Sequence, residues 1–171
     1  GFGFSKDKSF KYWALMNNPA GAPSGTKPGF VPENAPPGLF INAQYLKDLS
    51  FENPNPLDAF TKAGEKPDIK VNVNTAARKL PDNAFEVILD IKTEAKNKDK
   101  ISFIAEVSYA GIFTLNKVPP EHEKPLLLIE APRMLFPFAR NVLAETTRDG
   151  GYPPLMLNPI DFASLFHKHA E

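Results

Sequence analysis

Three histidines are the first candidates for acid–base or metal chemistry in this sequence. His167 and His169 stand two positions apart in a helical pattern, so their side chains point about 200° apart and do not share a face. His122 lies between Glu121 and Glu123 in a proline-rich stretch, which predicts a solvated loop tip. Neither group predicts a metal site.

Carboxylates on one strand face are the other candidates. Glu86, Asp90 and Glu94 share a face with Lys92, and such a face is usually the solvated side of a sheet. The sequence has no glycine-rich phosphate loop ending in Lys-Ser/Thr, no G-x-S-x-G and no H-E-x-x-H motif. We therefore expect a binding protein rather than an enzyme, and no metal site. A ligand-carrying or catalytic domain is the less favoured alternative.

Composition narrows the partners and the compartment. The 20 basic residues balance 20 acidic ones, whereas a nucleic-acid-binding protein usually has a basic excess. There is no cysteine, hence no disulfide framework. No apolar run approaches the roughly 20 residues of a membrane helix, and the run at 12–16 is shorter than the core of a secretory signal. We expect a protein that is not secreted, binds no nucleic acid and does not insert into a membrane.

Alternation of apolar and polar residues predicts an antiparallel sheet. In the first strand, Ile41, Ala43 and Tyr45 fall on one face. A tight turn at 97–100 joins the last two strands, which therefore pair antiparallel. The strands are predicted at residues 40–46, 69–74, 84–95 and 101–109.

The C-terminal part is predicted to be helical. Pro137 suits a first helical turn, where its missing N–H is not needed, and Phe136 and Phe138 are interpreted as apolar anchors of that helix start. The helix is expected to end at Asp149-Gly150-Gly151. The N-cap, N1 and N3 positions of a second helix are assigned to Asn158, Pro159 and Asp161.

Four segments carry the clearest indication of a family. They are KDLSFENP at 47–54, FIAEV with GIF at 103–113, LFPFAR at 135–140, and YPPL with NPIDFASLF at 152–166. The first is similar to the signature after the first strand of SecB, the bacterial export chaperone. The others resemble its third strand and exit, the start of its first long helix, and its second helix with the approach to it. The resemblance spans about residues 39–171.

This resemblance implies an α+β fold: a four-stranded antiparallel sheet with helices packed on one face, assembling as a homotetramer, a dimer of dimers. It implies a cytoplasmic bacterial chaperone that binds unfolded preproteins in hydrophobic grooves, keeps them translocation-competent and delivers them to the SecA motor. The family uses no cofactor. The alternative is a SecB-like chaperone dedicated to a single partner such as an antitoxin, which broad binding of unrelated unfolded proteins would exclude.

The resemblance also implies three sets of functional residues. The SecA-binding surface corresponds to Asp48, Glu52, Ile104 and Glu106. Ala105 and Val107 match family positions at the dimer contact, and with Tyr109 they are assigned to the subunit interface, ordinary core being the alternative. The client groove is expected between the segment 51–68 and the second helix, with candidates of which some belong to the core: Phe51, Phe60, Val71, Val73, Phe162 and Phe166.

The first 38 residues lie outside the resemblance. Residues 1–16 are aromatic and basic, and residues 17–38 have the Pro/Gly-rich composition of a linker. We therefore divide the chain into a 1–38 extension and a 39–171 chaperone domain. Residues 2–16 either dock in a client groove or form a disordered tail. Residues 39–171 carry 18 acidic and 16 basic side chains, closer to neutral than is usual in the family, which weakens the expected attraction for SecA.

Overall fold

The computed structural model describes residues 31, 34–57, 67–98 and 100–168. These residues form β1 (Gly38–Glu52), β2 (Asp68–Lys79), β3 (Ala84–Asn97) and β4 (Lys100–Asn116). The helices follow as α1 (Pro120–Pro125), a π-helical turn (Leu126–Glu130), α2 (Ala131–Asp149) and α3 (Phe162–Lys168). The 2–16 segment proposed to dock, and Phe60, lie outside the described residues.

The four strands form one antiparallel sheet in the order β1-β4-β3-β2, which confirms the predicted sheet. The tight β3–β4 turn is also confirmed, since Asn97 pairs with Lys100. β1 and β2 are the two edge strands. All four strands extend beyond the short alternating segments from which they were predicted.

The helices pack on one side of the sheet, which we call the covered face; the other side is the open face. On β3, Val87, Leu89 and Ile91 are at most 1% exposed, and on α2, Leu135 and Leu143 are fully buried. These residues belong to one apolar core. The burial of alternate β3 residues explains why its sequence follows a period of two.

β1 contains two β-bulges, with Asn42 and Lys47 as the extra residues opposite β4. An inserted residue reverses the face that the following side chains occupy. Ile41 therefore lies on the covered face, whereas Ala43 and Tyr45 lie on the open face. The predicted common face for these three residues was wrong, because a strict period of two does not allow for a bulge.

α2 begins at Ala131, well before the predicted start, and Pro137 lies inside it. An internal proline costs a helix about 3 kcal/mol. The burial of Ala131, Leu135 and Phe136 in the apolar core offsets this cost. The predicted helix start at Pro137 was therefore wrong. Of its two neighbours, Phe136 is buried but Phe138 is 46% exposed.

The starts of the two short helices also differ from the prediction. Asp161, not Asn158, caps α3: its carboxylate accepts hydrogen bonds from the backbone N–H of Ser164 at 3.1 Å and from its hydroxyl at 2.7 Å. These hydrogen bonds lower the pKa of Asp161. Residues 121–123, expected in a loop, lie in α1, where a proline occupies the first turn.

Gly111 on β4 allows α2 to approach the sheet closely. A Cβ atom there would lie 2.6 Å from Cε2 of Phe113 and 2.9 Å from Cδ2 of Leu135, and both side chains are fully buried.

We predict that Gly111→Ala lowers the free energy of unfolding by about 1–3 kcal/mol through overpacking, as measured by urea denaturation. Lys100→Ala, at the exposed start of β4, should change it by less than about 0.5 kcal/mol. Equal stability of Gly111→Ala and the wild type would contradict the close approach.

Candidate functional site

The covered face is apolar on its outer strands as well as at its centre, but the helices bury only the centre. Val87 and Leu89 on β3 are 0% exposed, whereas Ile69 and Val71 on β2 are 38% and 41% exposed. On β1, Leu46 is 44% exposed. Partly exposed apolar side chains beside a strand edge favour the binding of another polypeptide, because the edge also offers unpaired backbone groups.

A groove of about 550 Å³ lies between β2 and the helices. Phe85 and the charged residues Lys79, Glu123 and Lys124 form part of its lining. Thr75 and Ala77 contribute on the strand side, Leu127 and Leu128 on the helix side, and Phe166 of α3 lies beside them. The name β2 groove is used here for these five residues together with the apolar residues on the same face of β2, namely Ile69, Val71 and Val73.

One of the residues predicted to line a client groove is buried in the core, and a second is partly buried against it. Phe162 is 1% exposed and packs edge-on against Phe136, with ring centroids 6.1 Å apart. Phe51 is half-buried and stacks on Phe103 at 5.8 Å. A core position was the alternative that the sequence left open for these candidates, and the structure places Phe162 there.

Three of the other predicted groove residues belong to the β2 groove. Val71 and Val73 point to the covered face of β2, and Phe166 lines the groove directly. Phe60 is not among the described residues. The sequence analysis missed Leu127 and Leu128, because an apolar run before a helix does not show which strand it faces.

A second exposed apolar surface lies at the opposite edge of the sheet. Phe138 on α2 stacks on Tyr109 with ring centroids 6.2 Å apart and planes 7° from parallel, and a cavity of about 380 Å³ separates α2 from β1. We call this surface the β1 apolar face; its members, each 38% to 46% exposed, are Ile41, Leu46, Leu49, Met134 and Phe138. It was missed because the bulges disguise which β1 residues share a face.

The three residues assigned to the subunit interface are placed differently from one another. Ala105 is 0% and Val107 is 2% exposed, within the core of this chain. They can influence assembly only through the packing behind the surface. Tyr109 is partly buried, which raises its pKa, and it adjoins the β1 apolar face through Phe138.

The four residues assigned to SecA binding lie together on the open face. Glu52 pairs with Ile104 across β1 and β4, and Asp48 and Glu106 lie on the same side of the sheet. Side chains directly opposite on neighbouring antiparallel strands have Cβ atoms about 5 Å apart. We call this surface the acidic face; it comprises Asp48, Glu52, Asp90, Glu94, Ile104 and Glu106.

The carboxylates of the acidic face differ in their partners. Lys92 forms an ion pair with Glu106, which raises the pKa of Lys92. Lys96 Nζ lies 2.7 Å from Glu94 Oε1, and its hydrogen bond lowers the pKa of the Glu94 carboxyl. Within the described part of the chain, Asp48 and Glu52 make no ion pair. The charge of Glu52 nevertheless contributes to the raised pKa of Lys92, after the larger effect of Glu106.

Glu86 also lies on the open face, but it is only 3% exposed. Its Oε1 accepts hydrogen bonds from the Tyr45 hydroxyl and, at 3.0 Å, from Lys47 Nζ. Arg78 Nη2 lies 2.7 Å from Oε2. The predicted solvated position was wrong, because side chains from other strands cover this carboxylate. We call these four residues the Glu86 cluster.

The Glu86 cluster shifts the pKa of two of its members. Burial raises the pKa of Glu86, but the hydrogen bonds from Tyr45 and Lys47 and the charges of Lys47 and Arg78 outweigh burial, so the pKa lies below its usual value. Burial, and then the hydrogen bond to Glu86 and its charge, raise the pKa of Tyr45 to about 12. The cluster therefore holds an ionised carboxylate against a neutral phenol.

Two of the three histidines considered as metal ligands lie in helices of the structure. His122 lies in α1 and His167 in α3, and His169 is beyond the described residues. Across the described ranges, no three His, Asp or Glu side chains are grouped so that they could hold a metal ion. None of the helices in those ranges combines the length and the apolar character of a membrane span.

Comparison with known proteins assigns the family. A family model described as preprotein translocase subunit SecB matches residues 32–171. This chain belongs to the SecB family. The protein-export protein SecB of Bradyrhizobium sp. strain BTAi1 is 49% identical over 144 residues, which cover 84% of this chain and 89% of that protein. The SecB of Rhodospirillum centenum is 51% identical over 131 residues, covering 76% and 78%. SecB is a family of protein-export chaperones rather than of enzymes.

A solved structure shares the fold of this SecB family member. It is the SecB-like chaperone Rv1957 of Mycobacterium tuberculosis in complex with a ChAD peptide from the antitoxin HigA1. The TM-score is 0.59 at 16% identity, and the match covers 72% of this chain and 91% of that chain. At this identity the likeness supports the fold alone.

The phenol of Tyr45 gives the Glu86 cluster a measurable dependence on pH. The unfolded chain loses this proton near its ordinary pKa of 10.0, whereas the folded chain retains it to about 12. The free energy of unfolding therefore falls as the pH rises between these values. We predict that the wild type loses more stability over this interval than Tyr45→Phe does, as measured by guanidinium denaturation at each pH. Parallel profiles for the two proteins would contradict the raised pKa.

Proposed function

We propose that this protein is a cytoplasmic export chaperone that binds unfolded preproteins in the β2 groove, keeps them translocation-competent and delivers them to SecA. The observation that carries the proposal is the row of partly exposed apolar residues on edge strand β2, such as Ile69 and Val71, beside a groove of about 550 Å³. Membership of the export-chaperone family supports the same function.

The β2 groove suits extended polypeptides of many sequences. β2 pairs only with β3 among the described strands, so its outer edge can form backbone hydrogen bonds with a client in the manner of an added strand. Apolar side chains such as Val71 and Phe166 would contact the client's side chains. Backbone hydrogen bonds are independent of sequence and apolar contact tolerates different shapes, which is what a chaperone with many clients requires.

The β1 apolar face supports self-association. Phe138 and Met134 on α2 are 46% and 40% exposed and lie beside the exposed apolar residues of edge strand β1. A patch that combines a strand edge with a helix surface fits a symmetric interface between identical subunits. We assign this surface to the first pairing within a homotetramer, a dimer of dimers, with Tyr109 at its margin.

The acidic face supports docking of SecA. Asp48 and Glu52 are exposed, and Ile104 supplies a partly exposed apolar contact among carboxylates. Charges of one sign accelerate encounter with a basic partner, and an apolar residue among them adds contact area. Because this face lies on the opposite side of the sheet from the β2 groove, SecA and a client can bind at the same time.

A chaperone dedicated to a single partner is the second candidate function. The observation that favours it is that the SecB-like structure with the same fold holds a peptide from an antitoxin. Binding of two unrelated unfolded proteins with similar affinity would exclude this candidate, whereas binding of one partner alone would support it.

The client groove is tested by two adjacent substitutions on β2. Val71 faces the groove and Asn72 the open face, so Val71→Asp and Asn72→Asp place the same charge on opposite sides of the strand. We expect Val71→Asp to weaken binding of a fluorescent, unfolded preprotein by about tenfold or more, because a buried valine contributes about 1.5–3 kcal/mol. Fluorescence anisotropy measures the dissociation constants. Asn72→Asp should bind within about twofold of the wild type, and equal loss in both variants would refute the groove.

The SecA surface is tested with the double variant Asp48→Asn/Glu52→Gln. We expect its affinity for purified SecA to fall by about twofold to thirtyfold, since the variant removes two charges and each exposed ion pair contributes about 0.2–1 kcal/mol. Its binding should also depend less on salt, and isothermal titration calorimetry at two salt concentrations measures both effects. The control Glu145→Gln/Asp149→Asn removes the same charge from the exposed end of α2. If both double variants bind SecA equally, the acidic face is not the docking surface.

A further inference from the structure

We propose that Glu86 is a positioning residue for the acidic face. Its carboxylate holds the extra residue Lys47 in the second bulge of β1, and this bulge places Asp48 on the open face. The inference deepens the proposed function, because it rests on the docking of SecA to the acidic face.

The side of the sheet that Asp48 occupies depends on the bulge. In the observed register Asp48 lies opposite Ser108, on the open face. If β1 continued from Leu46 without an extra residue, Asp48 would lie opposite Val107, which is 2% exposed in the core. The acidic side chains of β1 can therefore join those of β4 only because Lys47 is inserted between Leu46 and Asp48.

The Glu86 cluster holds this inserted residue in place. Lys47 Nζ lies 3.0 Å from Glu86 Oε1, and the Tyr45 hydroxyl donates to the same oxygen. Both donors come from β1, directly before Asp48. On the other side, Arg78 of β2 lies 2.7 Å from Oε2. Glu86 thus connects both edge strands to β3, with β4 lying between β1 and β3.

The negative charge of Glu86 keeps the side chains of Lys47 and Arg78 turned towards its carboxylate. A carboxylate that is 3% exposed stays ionised only while cations and hydrogen-bond donors surround it. Oε2 accepts no hydrogen bond from the described residues, so Arg78 meets it as an ion pair. Without the charge, Lys47, whose side chain is 39% exposed, can turn into solvent.

Beyond the bulge, contacts between apolar residues hold β1 against β4. Phe51 stacks on Phe103, and Leu49 pairs with Val107 on the covered face. The register of that part of β1 does not depend on Glu86. Loss of the carboxylate should therefore loosen residues 46–48 without shifting the rest of the strand.

Two substitutions in the full chain test the proposal, because they change the charge of the open face in opposite directions. Glu86→Gln removes a negative charge and Lys47→Met a positive one. If Glu86 positions the bulge, both variants bind purified SecA about twofold to fivefold more weakly, the range for losing one exposed ion pair. If Glu86 acts only through its charge, Lys47→Met binds SecA as tightly as the wild type or more tightly, which would overturn the proposal.

Backbone hydrogen exchange provides a readout that does not depend on SecA. We expect faster exchange at residues 46–48 in both variants and unchanged exchange at residues 50–52. Glu130→Gln, which breaks a surface ion pair with Arg133, should change neither exchange nor SecA binding. Unchanged exchange at 46–48 would overturn the proposal, and so would faster exchange with unchanged SecA binding. If the wild type itself does not bind SecA, the proposed docking fails, while exchange still decides whether Glu86 holds the bulge.

Discussion

A single helix cannot cover a four-stranded sheet, and the surfaces of this protein follow from that constraint. A helix with its side chains is about 10 Å wide, whereas the outer strands of such a sheet lie about 14 Å apart. α2 therefore buries the centre, where Leu89 and Val107 are almost inaccessible, and leaves Val71 on β2 and Leu46 on β1 about two-fifths exposed. The described helices therefore leave apolar residues partly exposed at both margins.

Apolar residues lie at both margins of the sheet, but the shape of the surrounding surface differs between them. At β2 a single strand edge borders a groove, which suits one extended chain. At β1 the apolar surface continues onto Phe138 and Met134 of α2, which suits a second copy of the same surface. The open face is acidic rather than apolar, with carboxylates around Ile104. Client, neighbouring subunit and SecA are thus assigned to separate surfaces, and the proposed delivery requires no competition among them.

Much of the sheet could be predicted because alternation along β2, β3 and β4 directly reflects burial on one face. The Lys47 bulge could not, since one extra residue leaves no compositional signal. Pro137 was predicted to start a helix because local helix propensity takes no account of tertiary burial. In the structure, the buried residues of α2 offset the cost of a proline inside the helix. Glu86 was expected to be solvated because its covering residues come from other strands. Phe162 and Phe166 have the same apolar periodicity, so only the structure separates core from groove.

Hydrogen exchange of the two edge strands, with and without a saturating unfolded preprotein, tests the central claim most directly. A client that adds to the sheet at β2 would hydrogen-bond its outer backbone amides and slow their exchange. The account predicts slower exchange at residues 69–75 when the client is bound, with no change at residues 39–49 of β1. Unchanged exchange in β2, or protection confined to β1, would contradict it.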